Sequence, residues 1–335
     1  MKNMRLKKIL SVLLVLLLAF SVVACGDTSK TKAGDDENTS FNNVQLLMGT
    51  GGTSGTWYPV GGAICSSMNK VSGINVNVQA SAGGVENIRT VANGERDLGM
   101  ALYSLGNYAL KGEEAFKGEK LDNIRGIAVM MPMAAQFLVR ADSGITCIKD
   151  LKGKKVGVGA PGSGEEVCVR EFLTANGMSY DDCDAKFISF TEQVTAFKDR
   201  QLDAIFIITT PPTSGILDAA AQADVALIPI AGEERDNILK QYSSYYATKI
   251  PADAYDFLSG DVETVGMGTL LFCSADLDEN VVYAITKAMY DDADYLKTVH
   301  PALESLSAEY SIESMGDFPM HPGAEKYYKE IGLIK

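Results

Sequence analysis

The chain has 335 residues, 46% of them hydrophobic, and a net charge of −13. That is enough length and apolar content for two lobes of ordinary domain size. The acidic balance argues against nucleic acid and against wide contact with anionic lipid. It leaves an anionic ligand open, because nearby donors outweigh charges beyond a screening length of about 8 Å.

In chain order, Lys2, Arg5, Lys7 and Lys8 precede an apolar run from Ile9 to Ala24 that ends at Cys25. A basic start and a short apolar run form a secretory signal rather than a spanning helix. Residues 1–24 are therefore expected to be a lipoprotein signal peptide, since Ser21-Val22-Val23-Ala24-Cys25 resembles a bacterial lipobox in which the cysteine is diacylated. Residues 25–42 are small and polar and read as a flexible tether carrying lipidated Cys25. Removal of a leader with four positive charges takes the net charge to −17.

Val44 to Met48 reads as a buried strand that runs into Leu46–Tyr58, LLMGTGGTSGTWY, and a helix is expected over Pro59–Asn69. Ile74–Gln79 alternates apolar and polar residues, which is strand periodicity. A second glycine junction, ASAGGVE at 80–86, leads into a helix over Val85–Asn93, and Asp97–Leu102 returns as a strand. Ile124–Met130 and Gln136–Arg140 read as two strands. A third junction, GVGAPGSGE at 157–165, links a strand at Lys155–Gly159 to a helix at Glu165–Asn176. Lys186–Phe190, Glu192–Asp199 and Asp203–Ile208 repeat the strand–helix–strand order of the first unit, as suits a βαβ crossover. A long strand over Val262–Cys273, an amphipathic helix over Glu279–Leu296 and a final helix near Ala324–Ile331 complete the pattern.

Two α/β lobes follow, joined by extended crossings near residues 140 and 264: lobe 1 is 43–140 plus 264–335, and lobe 2 is 141–263. A crevice between them, at the C-terminal strand ends, is the expected ligand position. Glycine after a strand lets backbone N–H groups turn toward one point, and a following helix adds its free N–H groups and positive dipole end. Three such junctions predict a pocket that grips a small anion.

Other chemistry is poorly supported. Gly157-x-Gly159-x-x-Gly162 has dinucleotide spacing, but Pro161 stiffens the turn. Glu165 and Glu166 stand where a phosphate loop needs lysine. Only His300 and His321 are present, and Ser67-x-x-Lys70 lacks the companions of a Ser-Lys nucleophile. Asp181, Asp182 and Asp184 read as a solvated turn. Cys65, Cys147, Cys168, Cys183 and Cys273 contain no CxxC, and a Cys168–Cys183 pair stays open. No enzyme, cofactor or metal site is expected.

The runs GTGGTSGTWYPVGGAI, QASAGGVENIRTVANGERDLGMA, DLKGKKVGVGAPGSGEE and ENVVYAITKAM, in that order, resemble the TAXI solute receptors of TRAP transporters. The resemblance implies a type II periplasmic-binding-protein fold that captures a small organic acid or amino acid, often glutamate or a C4–C5 dicarboxylate. It implies delivery to a sodium-driven membrane permease. It points to Thr50, Gly51, Gly52, Thr53, Ser54, Gly55, Trp57 and Tyr58 as a first ligand loop, Ser81, Ala82, Gly83 and Gly84 as a second, and Gly162, Ser163 and Gly164 as a third from the other lobe. Three departures from the family pattern stand around the pocket: Leu102 and Ser104, with Tyr103 between, replace a Gln and an Asp; Glu165 replaces a Thr; and Thr209-Thr210-Pro211-Pro212 replaces Gly-Gly-Pro. Tyr103, Ser104, Thr209, Thr210 and Pro211 complete the expected site.

The expected mechanism is a hinged clamp. The ligand's anionic group docks on donors of Thr50–Gly55 and Ser81–Gly84, Ser163 and Gly164 approach from lobe 2, and Trp57, Tyr58 and Tyr103 wall the apolar part. The protein is expected to be exported, lipid-anchored at the outer face of the cytoplasmic membrane and monomeric. The alternative is a sensing lipoprotein that presents the same solute to a membrane signalling partner.

Overall fold

The computed structural model describes residues 41–53 and 55–335. The signal peptide, Cys25, all but the last two residues of the tether, and Ser54 lie outside the described residues. Among the described residues no helix is long and apolar enough to cross a membrane.

Among the described residues, ten strands form one mixed sheet: β1 (Val44–Gly49), β2 (Ile74–Gln79), β3 (Leu98–Leu102), β4 (Ile124–Arg140), β5 (Lys155–Gly157), β6 (Asp184–Lys186), β7 (Ala204–Thr209), β8 (Val225–Ile228), β9 (Tyr246–Ile250) and β10 (Val262–Ser274). The order is β2-β1-β3-β10-β4-β7-β5-β6, with β8 beside β4 and β9 beside β10. At one end β1 is parallel to β2 and β3. At the other, β5 is parallel to β6 and β7. Two antiparallel strands, β4 and β10, join the parallel groups.

Those two strands pass through both halves of the molecule. β4 pairs with β10 from Ile124 to Ala134, then with β7 from Ala134 to Val139 and β8 from Phe137 to Arg140. β10 pairs with β9 up to Gly266 and with β3 from Thr269 onward. The partner exchange thus falls at Ala134 and Gly266, inside continuous strands. Pro132 lies opposite Gly268, where the register shifts. The two strands read on either side of this proline are one strand, because the bulge absorbs the ladder bond that proline cannot give.

The helices are α1 (Trp57–Met68), α2 (Gly84–Ala92), α3 (Tyr103–Lys111), α4 (Gly164–Ala175), α5 (Phe190–Lys198), α6 (Ser214–Ala220), α7 (Gly232–Gln241), α8 (Glu279–Asp291), α9 (Ala293–Val299), α10 (Ala308–Met315) and α11 (Pro322–Glu330). β2 buries Ile74 and Val76 and exposes Asn75 and Asn77, as its alternation demands. α5 starts with a reciprocal capping box: Glu192 N–H reaches Ser189 Oγ, and Glu192 Oε2 accepts from the Ser189 N–H at 2.9 Å. The amphipathic stretch at 279–296 breaks at Asp292 into α8 and α9. The Asp292 carboxylate is held by Ser67 Oγ of α1 at 2.5 Å and by Lys70 Nζ, just past the end of that helix, at 2.6 Å. The Ser67/Lys70 pair therefore docks helices together.

One apolar cluster joins Leu46, Met48, Val60 and Ile64 to Val282, Ile285 and Tyr328 in the first half. A second, with Leu138, Phe197 and Ile205, fills the far half. The third runs between them, from Val85, Leu102 and Leu105 to Val167, Phe172 and Phe206. All five cysteines among the described residues are free thiols, including Cys168 and Cys183.

Candidate ligand site

Five segments at strand C-terminal ends line a partly open cavity of about 60 Å³. On the same measure one water needs about 10–15 Å³, so the space suits a small solute. Its wall comes from Gly51–Gly52 and Gly55–Trp57 after β1, Ser81–Gly83 after β2, Ala160, Ser163 and Glu165 after β5, Ser189–Thr191 after β6, and Ile207–Thr209 at the end of β7.

The first turn is held by its neighbour. Thr50 donates its N–H and its hydroxyl to the Gln79 carbonyl, at 3.0 and 2.9 Å. Thr56 Oγ1 reaches the Thr210 carbonyl at 3.4 Å and so bridges to the turn after β7. Trp57 forms part of the wall, and its buried Nε1–H has no hydrogen-bond partner.

The second turn departs from the anion cradle expected of it. Ser81 N–H goes to the Gly51 carbonyl at 3.3 Å, Ala82 N–H to Glu86 Oε2 at 2.8 Å and Gly83 N–H to Ser81 Oγ at 3.1 Å. Glu86 is itself fixed by Arg96 at 2.9 Å. These donors are occupied by the protein's own acceptors, so the proposed docking of an anion on Ser81–Gly83 is not available to a ligand.

The third turn meets the second across the cavity. A Cβ built on Gly83 would stand 3.5 Å from Ser163 Cα and 3.8 Å from Glu165 Oε2. Ser163 is 2% exposed and caps α4 by accepting from Glu166 N–H at 3.3 Å. Burial pushes the Glu165 carboxyl up from its ordinary value, while its own N–H and the Ser163 hydroxyl hold it down in part. Among the described residues it is the only charged one on the wall. Thr209, 2% exposed, closes the floor, and its Oγ1 also lacks a partner.

Of the residues expected from sequence, Gly51, Gly52, Gly55, Trp57, Ser81, Ala82, Gly83, Ser163 and Thr209 come together on the wall. Others stand apart from it. Thr50 is buried behind the first turn, Thr53 is exposed, and Tyr58 lies half-buried at the start of α1. Gly84 and Gly164 serve close packing: an added Cβ would come within 2.8 Å of Leu105 and 2.7 Å of Leu102 respectively. Tyr103 donates to the Met315 carbonyl at 2.7 Å, and Ser104 faces Met267 Sδ at 3.5 Å. Gly162 makes a left-handed turn with φ +78°. Thr210 Oγ1 is tied to the Pro132 carbonyl at 2.5 Å, and Pro211 is joined to Pro212 by a cis peptide. Sequence reasoning missed Thr56, Ala160, Ser189, Phe190, Thr191, Ile207 and Ile208, and it placed Glu165 around the pocket without counting it as a ligand residue. The S-x-x-E capping signal at Ser189–Glu192 marks a fourth strand–helix turn and was the available clue.

The profile of the NMT1-like family matches residues 48–332. A solved protein of Bordetella bronchiseptica RB50 is similar over 86% of this chain and 98% of its own, at 18% identity and a TM-score of 0.54. The alkanesulfonate-binding protein SsuA of Xanthomonas axonopodis pv. citri, solved with MOPS, covers 88% of this chain and 96% of its own at 14% identity and a TM-score of 0.48. The periplasmic aliphatic sulphonate binding protein SsuA of Escherichia coli covers 87% and 89% at 14% identity and a TM-score of 0.44. With its mixed sheet, flanking helices and two through-running strands, the chain has the α/β fold expected from its sequence and shares that fold with the Bordetella protein.

Proposed function

The chain belongs to the NMT1-like family, and from that premise and the cavity at the strand ends we propose that it is an exported solute receptor. It captures a small organic anion or amino acid, of the glutamate-like or C4–C5 dicarboxylate class, and delivers it to a TRAP-type permease. Lipidated Cys25 anchors it outside the cytoplasmic membrane. The two lobes meet where β4 and β10 exchange partners, at Ala134 and Gly266. TRAP delivery rests on the resemblance of the glycine-loop runs.

One observation carries the reading. Trp57 Nε1–H and Thr209 Oγ1 are buried and unpartnered, and both residues line the same cavity. A buried polar atom left without a partner costs about 1–3 kcal/mol. A solute that answers both atoms recovers that cost and draws the walls together.

The test is mass spectrometry of small molecules released by denaturing the purified full-length protein, followed by calorimetry with the released solute. A single solute that binds the wild type and binds Ser163→Ala more weakly is expected. Release of no solute, or equal affinity for both proteins, would remove the assignment. Uptake of that solute by vesicles holding a candidate TRAP permease, only when the receptor is added, tests delivery.

A further inference from the structure

Among the described residues the cavity wall carries one carboxylate and neither lysine, arginine nor histidine. Glu165 enters it from the first turn of α4, where an incoming anion would otherwise meet the helix N-terminus. Its own N–H and the Ser163 hydroxyl already serve that carboxyl. Across the cavity, Glu86 takes the Ala82 N–H in the same manner. Of the helix starts on this wall, those of α2, α4 and α5 carry acids in their own first turns, and that of α1, which opens with Trp57, carries none. A dicarboxylate would bring two further negative charges to this wall with no cation to meet them. What the wall lacks, among the described residues, is a cationic partner for Glu165 and an acceptor for Trp57 Nε1–H. Burial pushing the Glu165 carboxyl up fits a charge short of compensation.

We propose that Glu165 selects the solute: its carboxylate receives an ammonium or equivalent cationic N–H group, and Trp57 Nε1–H donates to the solute's acceptor. This rests on the receptor reading above and narrows it to amphoteric solutes, free amino acids above all, at the expense of dicarboxylates. Thr209 Oγ1, 2% exposed and unpartnered, supplies a third polar contact from the floor.

The test uses matched pairs that differ only at the amino group: L-glutamate with glutarate, L-alanine with propionate, and L-serine with 3-hydroxypropionate. Each is titrated calorimetrically into the full-length protein and into Glu165→Gln. Glutamine keeps the side chain's size and removes its charge, and a thermal melt checks that the variant is folded. For at least one pair, the amine-bearing member binds the wild type and its partner binds at least roughly 30-fold more weakly, the loss expected when one member of a buried charge pair is removed. Glu165→Gln weakens the amine-bearing member by a similar factor and leaves the other unchanged or tighter. Equal or tighter wild-type binding of the amine-free members overturns this proposal alone. So does undiminished amine binding in Glu165→Gln. Binding of none of the six probes, together with no solute released on denaturation, overturns the receptor reading as well. A released solute that lacks a cationic nitrogen overturns the selection by Glu165 and leaves the receptor standing.

Discussion

Glu171 to Gln probes a buried carboxyl that ties α3 to α4. Glu171 is 1% exposed and accepts from Tyr108 at 2.8 Å and Tyr245 at 2.5 Å. Burial pushes its carboxyl up to about 7 from 4.5, against the opposing pull of the two hydroxyls and Arg170. The folded state therefore holds this proton more tightly than the unfolded chain does. The stabilisation is complete below pH 4.5 and is lost as pH rises through about 7. At about 1.4 kcal/mol per pH unit, the loss is roughly 3 kcal/mol. Urea denaturation between about pH 4 and pH 8 measures it, because the glutamine variant has no proton to lose at this position. Whatever the amide costs in packing, the difference between wild-type and variant stability should swing by roughly 3 kcal/mol in the variant's favour across that range. Parallel stability curves for the two proteins would refute the reasoning.

Trp57→Phe keeps most of the ring and deletes the unpartnered Nε1–H; solute affinity should fall about tenfold in calorimetry, with the melting temperature of the solute-free protein unchanged or raised. Gly159→Ala forces a side chain onto a residue at φ +106°, with its Cβ 2.6 Å from Ser163 Oγ. A loss of about 1–3 kcal/mol in denaturation is expected, together with weakened binding, because the α4 cap must shift. Lys70 is largely exposed, so Lys70→Ala should cost under about 1 kcal/mol. Asp292→Ala should cost about 1–3 kcal/mol, because it also strips the buried Ser67 hydroxyl of its acceptor. Equal melting temperatures for those two variants would remove Ser67 from that account.

The strand–glycine–helix junctions were legible in sequence because each needs only local chemistry: an apolar run, residues free of Cβ crowding, then a cap. They located eight wall residues, and the family resemblance added Thr209. Which acceptor takes each turn's N–H was not legible. Glu86 lies only four residues beyond Ala82, yet its grip depends on Arg96 from beyond the helix. Tyr103 looked like a pocket aromatic by its place after β3, but the carbonyl of Met315, from a distant helix, claims its hydroxyl. The continuity of β4 was hidden by Pro132, whose tolerance depends on Gly268 opposite. The break at Asp292 was hidden likewise, since apolar periodicity runs on while Lys70 and Ser67 capture the carboxylate. Glu165 was conspicuous as a departure from a family pattern, but its direction depends on Gly83 lying across the space.

The paired ribbons β4 and β10 have a mechanical consequence. Because each strand is continuous from one half to the other, rotating the halves against each other winds or unwinds the pair and leaves its hydrogen-bonded ladders whole. The compliant place along them is the Pro132–Gly268 step, where a missing amide and a side-chain-free partner offer the least resistance to torsion. A stiffer residue there, such as valine for Gly268, would turn a torsion spring into a strut.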